Sequence, residues 1–348
     1  MAIPDRVSPS EIRGSRLADG EPLLAVDALT VALPVAGAWR AAVDRVSFEI
    51  RRGEGVALVG ESGSGKTQLA RALLGLSPDG ARVSGSVRFD GREVALLSDA
   101  AWSAVRGPGI GMVFQEPAAA LDPVRTIGEH LAEAIRLHRR ASPDEVRRVS
   151  IEALAAAAFP DPESALDAHP HRLSGGLQQR ACLAIALAPG PRLLLADEPT
   201  ASLDATVALG ILTLLDRLRA DRGLAVLLIT HDLGIAARHG DRLLVLYAGR
   251  VVEEASRETL FASPRHPYTR GLLRSAPRLA GPRARGERYA AIPGAPPELS
   301  TRPVRGCAFA PRCPDRFAPC DENEPPLEAV DDARVACFLH PGPRGTPS

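Results

Sequence analysis

Gly60-Glu61-Ser62-Gly63-Ser64-Gly65-Lys66-Thr67 sets glycines, a lysine and a hydroxyl at the spacing G-x-x-x-x-G-K-[ST]. The chemistry of that spacing is phosphate binding. Glycines let backbone N–H groups close around an anion, the lysine reaches the β- and γ-phosphates, and the threonine hydroxyl offers an oxygen to Mg²⁺. Lys66 is the only lysine among the 42 Lys and Arg residues of the chain. A compact ammonium on a flexible stem can lie along such a loop, whereas the planar fork of arginine demands its own geometry. A chance glycine-rich turn is the alternative, and the flanking sequence argues against it. Val56 to Val59 reads as a buried strand before the loop. Gln68 to Leu76 reads as a helix after it, with Leu69, Leu73 and Leu76 at helical spacing. Strand, loop and helix in that order aim the free N–H groups of a helix N-terminus, including that of Gln68, at the anion.

Two more segments carry groups of the same kind. Leu193-Leu194-Leu195-Ala196-Asp197-Glu198 is an apolar strand ending in two carboxylates, which puts Asp197 at the ligand-binding edge of a parallel sheet. There Asp197 can share Mg²⁺ with Thr67, and Glu198 can polarise a water for attack on the γ-phosphate; a helix N-cap is the alternative use of the pair. Leu173-Ser174-Gly175-Gly176-Leu177-Gln178-Gln179-Arg180 places a hydroxyl, free N–H groups and a positive dipole end at the start of a helix, again suited to an anion. A serine N-cap is the competing reading.

Length and composition bound what must position these groups. The 348 residues suggest two or three folded units, with 45% hydrophobic residues to build their cores. Formal net charge is zero and the arginines are dispersed, which argues against a nucleic-acid stripe. No stretch approaches the roughly 18 to 20 apolar residues of a membrane span. Residues 1–20 are polar and charged, without the apolar segment of a signal peptide, so we expect a disordered leader and a cytoplasmic chain.

The elements follow from periodicity. Strand-like runs at Leu23 to Val31, Val43 to Ile50, Val56 to Val59, Gly85 to Phe89 and Gly111 to Phe114 alternate with turns and the loop helix. Residues 116–185 are alanine-rich and helical, with helices expected at Ile127 to Arg140 and Asp144 to Ala158. Apolar strands return at Leu193 to Ala196, Ala225 to Ile229 and Leu243 to Tyr247. The expected architecture is an α/β P-loop NTPase (RecA-like) core over 21–255, an inserted α-helical subdomain over about 116–185, and a small cysteine-containing C-terminal module over 256–348.

With these motifs in this order the chain resembles the nucleotide-binding domains of ATP-binding-cassette proteins, from about Leu23 to Val252. The resemblance takes in Gln115, Ser202-Leu203-Asp204 and His231. It implies that two such domains sandwich ATP and Mg²⁺. Gly60, Ser62, Gly63, Ser64, Gly65, Lys66, Thr67 and Gln68 would hold nucleotide in one subunit, and Ser174, Gly175, Gly176 and Asp204 would act from the other. It assigns Glu198, His231 and Gln115 to catalysis and Thr67, Gln115 and Asp197 to Mg²⁺. The family's adenine-stacking ring aligns with Leu33, and nearby Trp39 is the substitute or a packing residue.

Ser263-Pro264-Arg265-His266-Pro267-Tyr268, Ile292-Pro293-Gly294-Ala295-Pro296-Pro297 and Gly306-Cys307-Ala308-Phe309-Ala310-Pro311-Arg312-Cys313 resemble the tail of ATPases serving oligopeptide and dipeptide importers, a group that includes nickel and glutathione importers. This implies a second ATPase subunit, two transmembrane permease subunits, an extracytoplasmic substrate-binding protein and a place on the cytoplasmic face of the inner membrane, with no nucleic acid. A soluble cassette ATPase working on a macromolecular assembly is the alternative. Cys307, Cys313, Cys320 and Cys337 cluster in this tail, while Cys182 falls in an apolar helix. Four thiolates suit an iron–sulfur cluster, zinc is a second option, and no metal a third. The resemblance favours [4Fe-4S].

Overall fold

Apolar runs bounded by glycine or charge become strands, and apolar residues repeating every three or four positions become helices. The computed structural model describes residues 20–95, 97–276, 291–303 and 305–340. The expected leader lies almost wholly outside the described residues. In chain order come β1 (Leu24–Val35), β2 (Ala38–Ile50), β3 (Gly55–Val59), α1 (Lys66–Ala72), β4 (Arg82–Phe89), β5 (Arg92–Glu93), α2 (Asp99–Val105) and β6 (Ile110–Val113). Next are α3 (Pro117–Ala120), α4 (Ile127–Arg136), α5 (Pro143–Ala156), α6 (Pro162–Ala165), α7 (Gly175–Leu187), β7 (Leu193–Asp197), α8 (Ala205–Arg222) and β8 (Ala225–Thr230). The chain continues through α9 (Leu233–His239), β9 (Arg242–Tyr247), β10 (Arg250–Ser256), α10 (Arg257–Ala262), α11 (Pro267–Ser275), α12 (Pro319–Glu322), β11 (Glu328–Val330) and β12 (Ala333–Val335).

These elements fall into two units, divided inside β1, β2, β4 and β8: Met1–Ala25, Glu49–Glu54 and Val87–Leu227 in one, Val26–Phe48, Gly55–Ser86 and Leu228–Ser348 in the other. In the first unit β6 and β7 pair in parallel, Ile110 opposite Leu193 through Val113 opposite Ala196. All five residues of β7 are buried, the mark of a strand covered on both faces. The expected helical segment is α3 to α7. α4 starts at a capping box, in which Thr126 N–H donates to Glu129 at 2.7 Å and Glu129 N–H to Thr126 at 3.2 Å. It buries Ile127, Leu131 and Ile135 along one face. The helix closes at Arg136 and not at Arg140, because the next apolar residue, Leu137, is 71% exposed and adds no burial to sustain another turn.

In the second unit β3 pairs in parallel with β9, and β9, β10, β12 and β11 follow as antiparallel neighbours. Ala36 (φ 49°) and Gly37 (φ 79°) form a two-residue turn between β1 and β2 with both backbones left-handed, as tight hairpins require. Hairpin pairing carries both strands further than their buried segments alone suggest. β10, absent from the sequence expectation, joins the sheet to the C-terminal segment, since β12 hydrogen-bonds along it. Tyr247, Tyr268 and Phe309 pack in tilted and edge-to-face pairs with centroids 4.6 to 5.4 Å apart, so residues of the tail share a core with β9. Among the described residues no helix is long and apolar enough to cross a membrane.

Candidate functional site

β3 is buried along its whole length and delivers the chain to Gly60. A Cβ at Gly60 would lie 2.2 Å from the carbonyl oxygen of Leu246, so only glycine lets the loop leave the sheet there. Gly65 closes the loop at φ 108°, 2.5 Å from the Ala42 carbonyl by the same measure. It is also the N-cap of α1, which has no side-chain cap and no acidic residue in its first turn, leaving that end electropositive. Lys66 opens the helix at 6% exposure. Its Nζ donates to the Gly60 carbonyl at 2.7 Å, the Glu61 carbonyl at 3.0 Å and Ser64 Oγ at 3.5 Å. The ammonium therefore lies inside the loop, as its compact shape allows. Ser62 and Gly63 are exposed, Ser64 is buried, and Thr67 and Gln68 are half-buried.

The loop is also gripped from the tail, by residues the sequence analysis did not single out. Glu61 N–H donates to Tyr268 Oη at 2.9 Å. Arg312 donates to both carboxylate oxygens of Glu61, at 2.6 and 3.0 Å. Arg302 donates to the Gly63 carbonyl at 3.0 Å and to the Ala41 carbonyl at 2.7 Å. Tyr268 and Arg312 fall within the tail segments quoted above, but nothing local ties them to the loop, because their partners lie far away in the sequence. In this unit His231 is exposed and follows β8 directly, while the next residue, Asp232, caps α9 by accepting from Gly234 N–H at 2.7 Å. Leu33 is half-buried on β1. Trp39 on β2 is 44% exposed, with the Arg82 guanidinium 3.9 Å from its ring centroid.

The other unit brings Gln115, Asp197 and Glu198 to one end of the β6–β7 pair. Asp197 is 2% exposed at the last position of β7. Gln115 Nε2 donates to Glu198 Oε2 at 3.3 Å. Glu198 sits at φ 45°, a left-handed backbone rare for glutamate and typical of functional turns. Ser174 caps α7, its Oγ accepting from Leu177 N–H at 3.4 Å, so Gly175 and Gly176 form the helix's first turn. Asp204 caps α8, accepting from Thr206 and Val207 N–H, both at 3.0 Å. Capping thus accounts for the present side-chain contacts of Ser174 and Asp204.

Cys182 is buried in α7 and its thiol is pushed up to about 12 by that burial, as expected of an inert core residue. Cys307, Cys313, Cys320 and Cys337 all line one small cavity, together with His266 and Phe309. Burial raises the thiols of Cys307 and Cys313, and pushes Cys337 up to about 11. Among the described residues no His, Cys, Asp or Glu group is already arranged as a metal site.

Residues 43–201 match the family model described as ABC transporter, and residues 252–320 match that of the oligopeptide/dipeptide transporter C-terminal region. The chain is 42% identical to the oligopeptide transport ATP-binding protein OppD of Salmonella typhimurium over 91% of its own length and 93% of that protein's. It is 48% identical to OppD of Mycobacterium tuberculosis over 91% of its length, but spans only 52%, about half, of that relative. Its fold matches the dimeric, post-hydrolysis ATP-binding cassette MJ0796 bound to ADP and Pi with a TM-score of 0.60 and 31% identity, covering 67% of this chain and 98% of that one. On the strength of full-length relatives above 40% identity, this chain belongs to the ATP-binding proteins of ABC transporters, in the oligopeptide/dipeptide transport branch.

Proposed function

We propose that this chain is the ATP-hydrolysing subunit of an importer for peptides or related small solutes. The observation that carries the reading is a lysine-closed phosphate loop and a buried strand-end Asp197 followed directly by Glu198, in a chain that aligns over 91% of its length with an oligopeptide transport ATP-binding protein. In this reading the 60–67 loop holds the β- and γ-phosphates of ATP and Gln68 sits in the turn behind them. Glu198 orients the attacking water, with Gln115 fixing its carboxylate and His231 contacting the γ-phosphate. Ser174, Gly175, Gly176 and Asp204 complete the site of a second ATP-binding subunit. Thr67, Gln115 and Asp197 are all hard oxygen donors, which fits Mg²⁺; bound there, the ion would neutralise phosphate charge. Closure on ATP and reopening after hydrolysis would move two permease subunits fed by an extracytoplasmic binding protein, with this chain peripheral on the cytoplasmic face.

Purification through a tag on this chain from detergent-solubilised membranes tests the assignment. We expect two permeases and an ATP-binding partner to copurify. Recovery with ribosomes or another soluble assembly, and without membrane proteins, would favour the soluble cassette ATPase.

The four tail cysteines converge on one cavity, and that convergence supports a [4Fe-4S] cluster held by Cys307, Cys313, Cys320 and Cys337. Its role there would be to staple a tail rich in turns. Purified without oxygen, the full chain should be brown and carry about four iron atoms. Cys320→Ser should lose them. Colourless protein carrying zinc or no metal would rule the cluster out.

A further inference from the structure

Glu61 is the second residue of the phosphate loop, and three of its groups are held at once. Its N–H donates to Tyr268 Oη at 2.9 Å, its carboxylate takes two bonds from Arg312, and its carbonyl accepts from Lys66 Nζ at 3.0 Å. Two of the three grips come from the tail, across 207 and 251 positions of sequence. Arg312 also donates to the Pro293 carbonyl at 2.9 Å, the Gly294 carbonyl at 3.4 Å and Tyr247 Oη at 3.5 Å. It sits on a tight turn, where Ala310 N–H donates to Cys307 at 3.0 Å and Cys313 N–H to Ala310 at 3.2 Å. The guanidinium is therefore fixed by its own backbone as well as by its partners.

Stability alone is a poor reason for this arrangement. The Arg312 side chain is 5% exposed and that of Glu61 26%, and taking such a pair out of water costs about as much as the attraction returns. What a buried, bidentate pair does supply is one geometry. A glycine-rich loop needs that supply, since a loop ordered only by its ligand loses affinity to the entropy of ordering. Tyr268 acts in the same direction: fully buried, its phenol is pushed far above its ordinary value and stays a neutral partner for the Glu61 N–H.

We propose that Arg312 and Tyr268 are positioning residues of the nucleotide site. They fix residue Glu61 by its N–H and its carboxylate while the Gly60 and Glu61 carbonyls face Lys66, and so keep the phosphate loop preformed for ATP. The inference rests on reading residues 60–67 as the ATP phosphate loop, but assigns the tail a part in that site.

The test compares ATP affinity by calorimetry, steady-state KM and kcat, and the unfolding midpoint, in the full chain and three variants. Arg312→Gln should weaken ATP binding and raise KM about tenfold, with kcat at saturating ATP nearly kept, because uniform binding is what preformation provides. Arg312→Lys should recover part of the loss, since the charge returns without the fork. Tyr268→Phe keeps the core volume and removes only the acceptor of the Glu61 N–H; it should weaken binding about threefold or more. A lowered unfolding midpoint with parental affinity and KM would make the contacts merely structural and overturn the proposal. Should Arg312→Gln fail to fold, Tyr268→Phe decides, and parental affinity in it overturns the proposal. A parent chain that binds no ATP would sink the ATPase reading and this one together; a parent that binds, with variants unchanged, sinks this one alone.

Discussion

Glu198→Gln should bind ATP as the parent does and hydrolyse it about 10²- to 10⁴-fold more slowly, the range lost when a positioned general base is removed. Glutamine has the shape of glutamate, so the left-handed backbone at φ 45° and the packing of β7 have no reason to change. The Gln115 amide can still reach a side-chain oxygen at this position, so the 3.3 Å contact need not be lost. What disappears is the carboxylate charge that draws a proton from water. Single-turnover hydrolysis with equilibrium binding alongside separates the two effects. Parental turnover would remove Glu198 from the role, and lost binding would mean that the variant damages the site as a whole. If two subunits close on ATP, the variant should also accumulate as a dimer in ATP.

Lys66→Arg keeps the charge and changes the geometry, and we expect ATP hydrolysis to fall by about 10²-fold or more, as when one preorganised donor is lost from a charged transition state. The reason is space. Lys66 is 6% exposed and its ammonium reaches two carbonyls of its own loop, at 2.7 and 3.0 Å. A longer, planar head cannot lie in that curve unless the loop opens, and Gly60 has no room to retreat past the Leu246 carbonyl. Calorimetric ATP binding and hydrolysis at saturating ATP provide the measurement. An arginine variant with parental kcat would show that the only lysine of the chain was kept for another reason.

Much of the candidate site is legible in the sequence because each of its parts is contiguous. The 60–67 loop, the 193–198 strand end and the 173–180 helix start each act through residues a few positions apart, where φ, ψ and capping rules apply directly. The strand readings also came close, since fully buried strands such as β3 and β7 announce themselves as unbroken apolar runs. The overlong reading of α4 has a different source. Sequence periodicity continues through Leu137, but whether that leucine meets a core is a property of its neighbours, and it meets solvent.

The sequence alone determines which groups are on offer: a loop with the phosphate-binding spacing, two acids at a strand end, and a tail with four thiols. Tertiary structure decides how those parts are held. It alone gives the strained backbone of Glu198, and the use of Ser174 and Asp204 as helix caps. It alone sets four cysteines around one cavity. It also ties Arg312 to Glu61 across 251 positions. A hydrogen bond or an ion pair depends on distance in space, and chain neighbours specify that distance only within a turn or two. Beyond that range the partners are chosen by which strands pair and which faces bury, as when β12 pairs along β10 and adds the tail to that sheet.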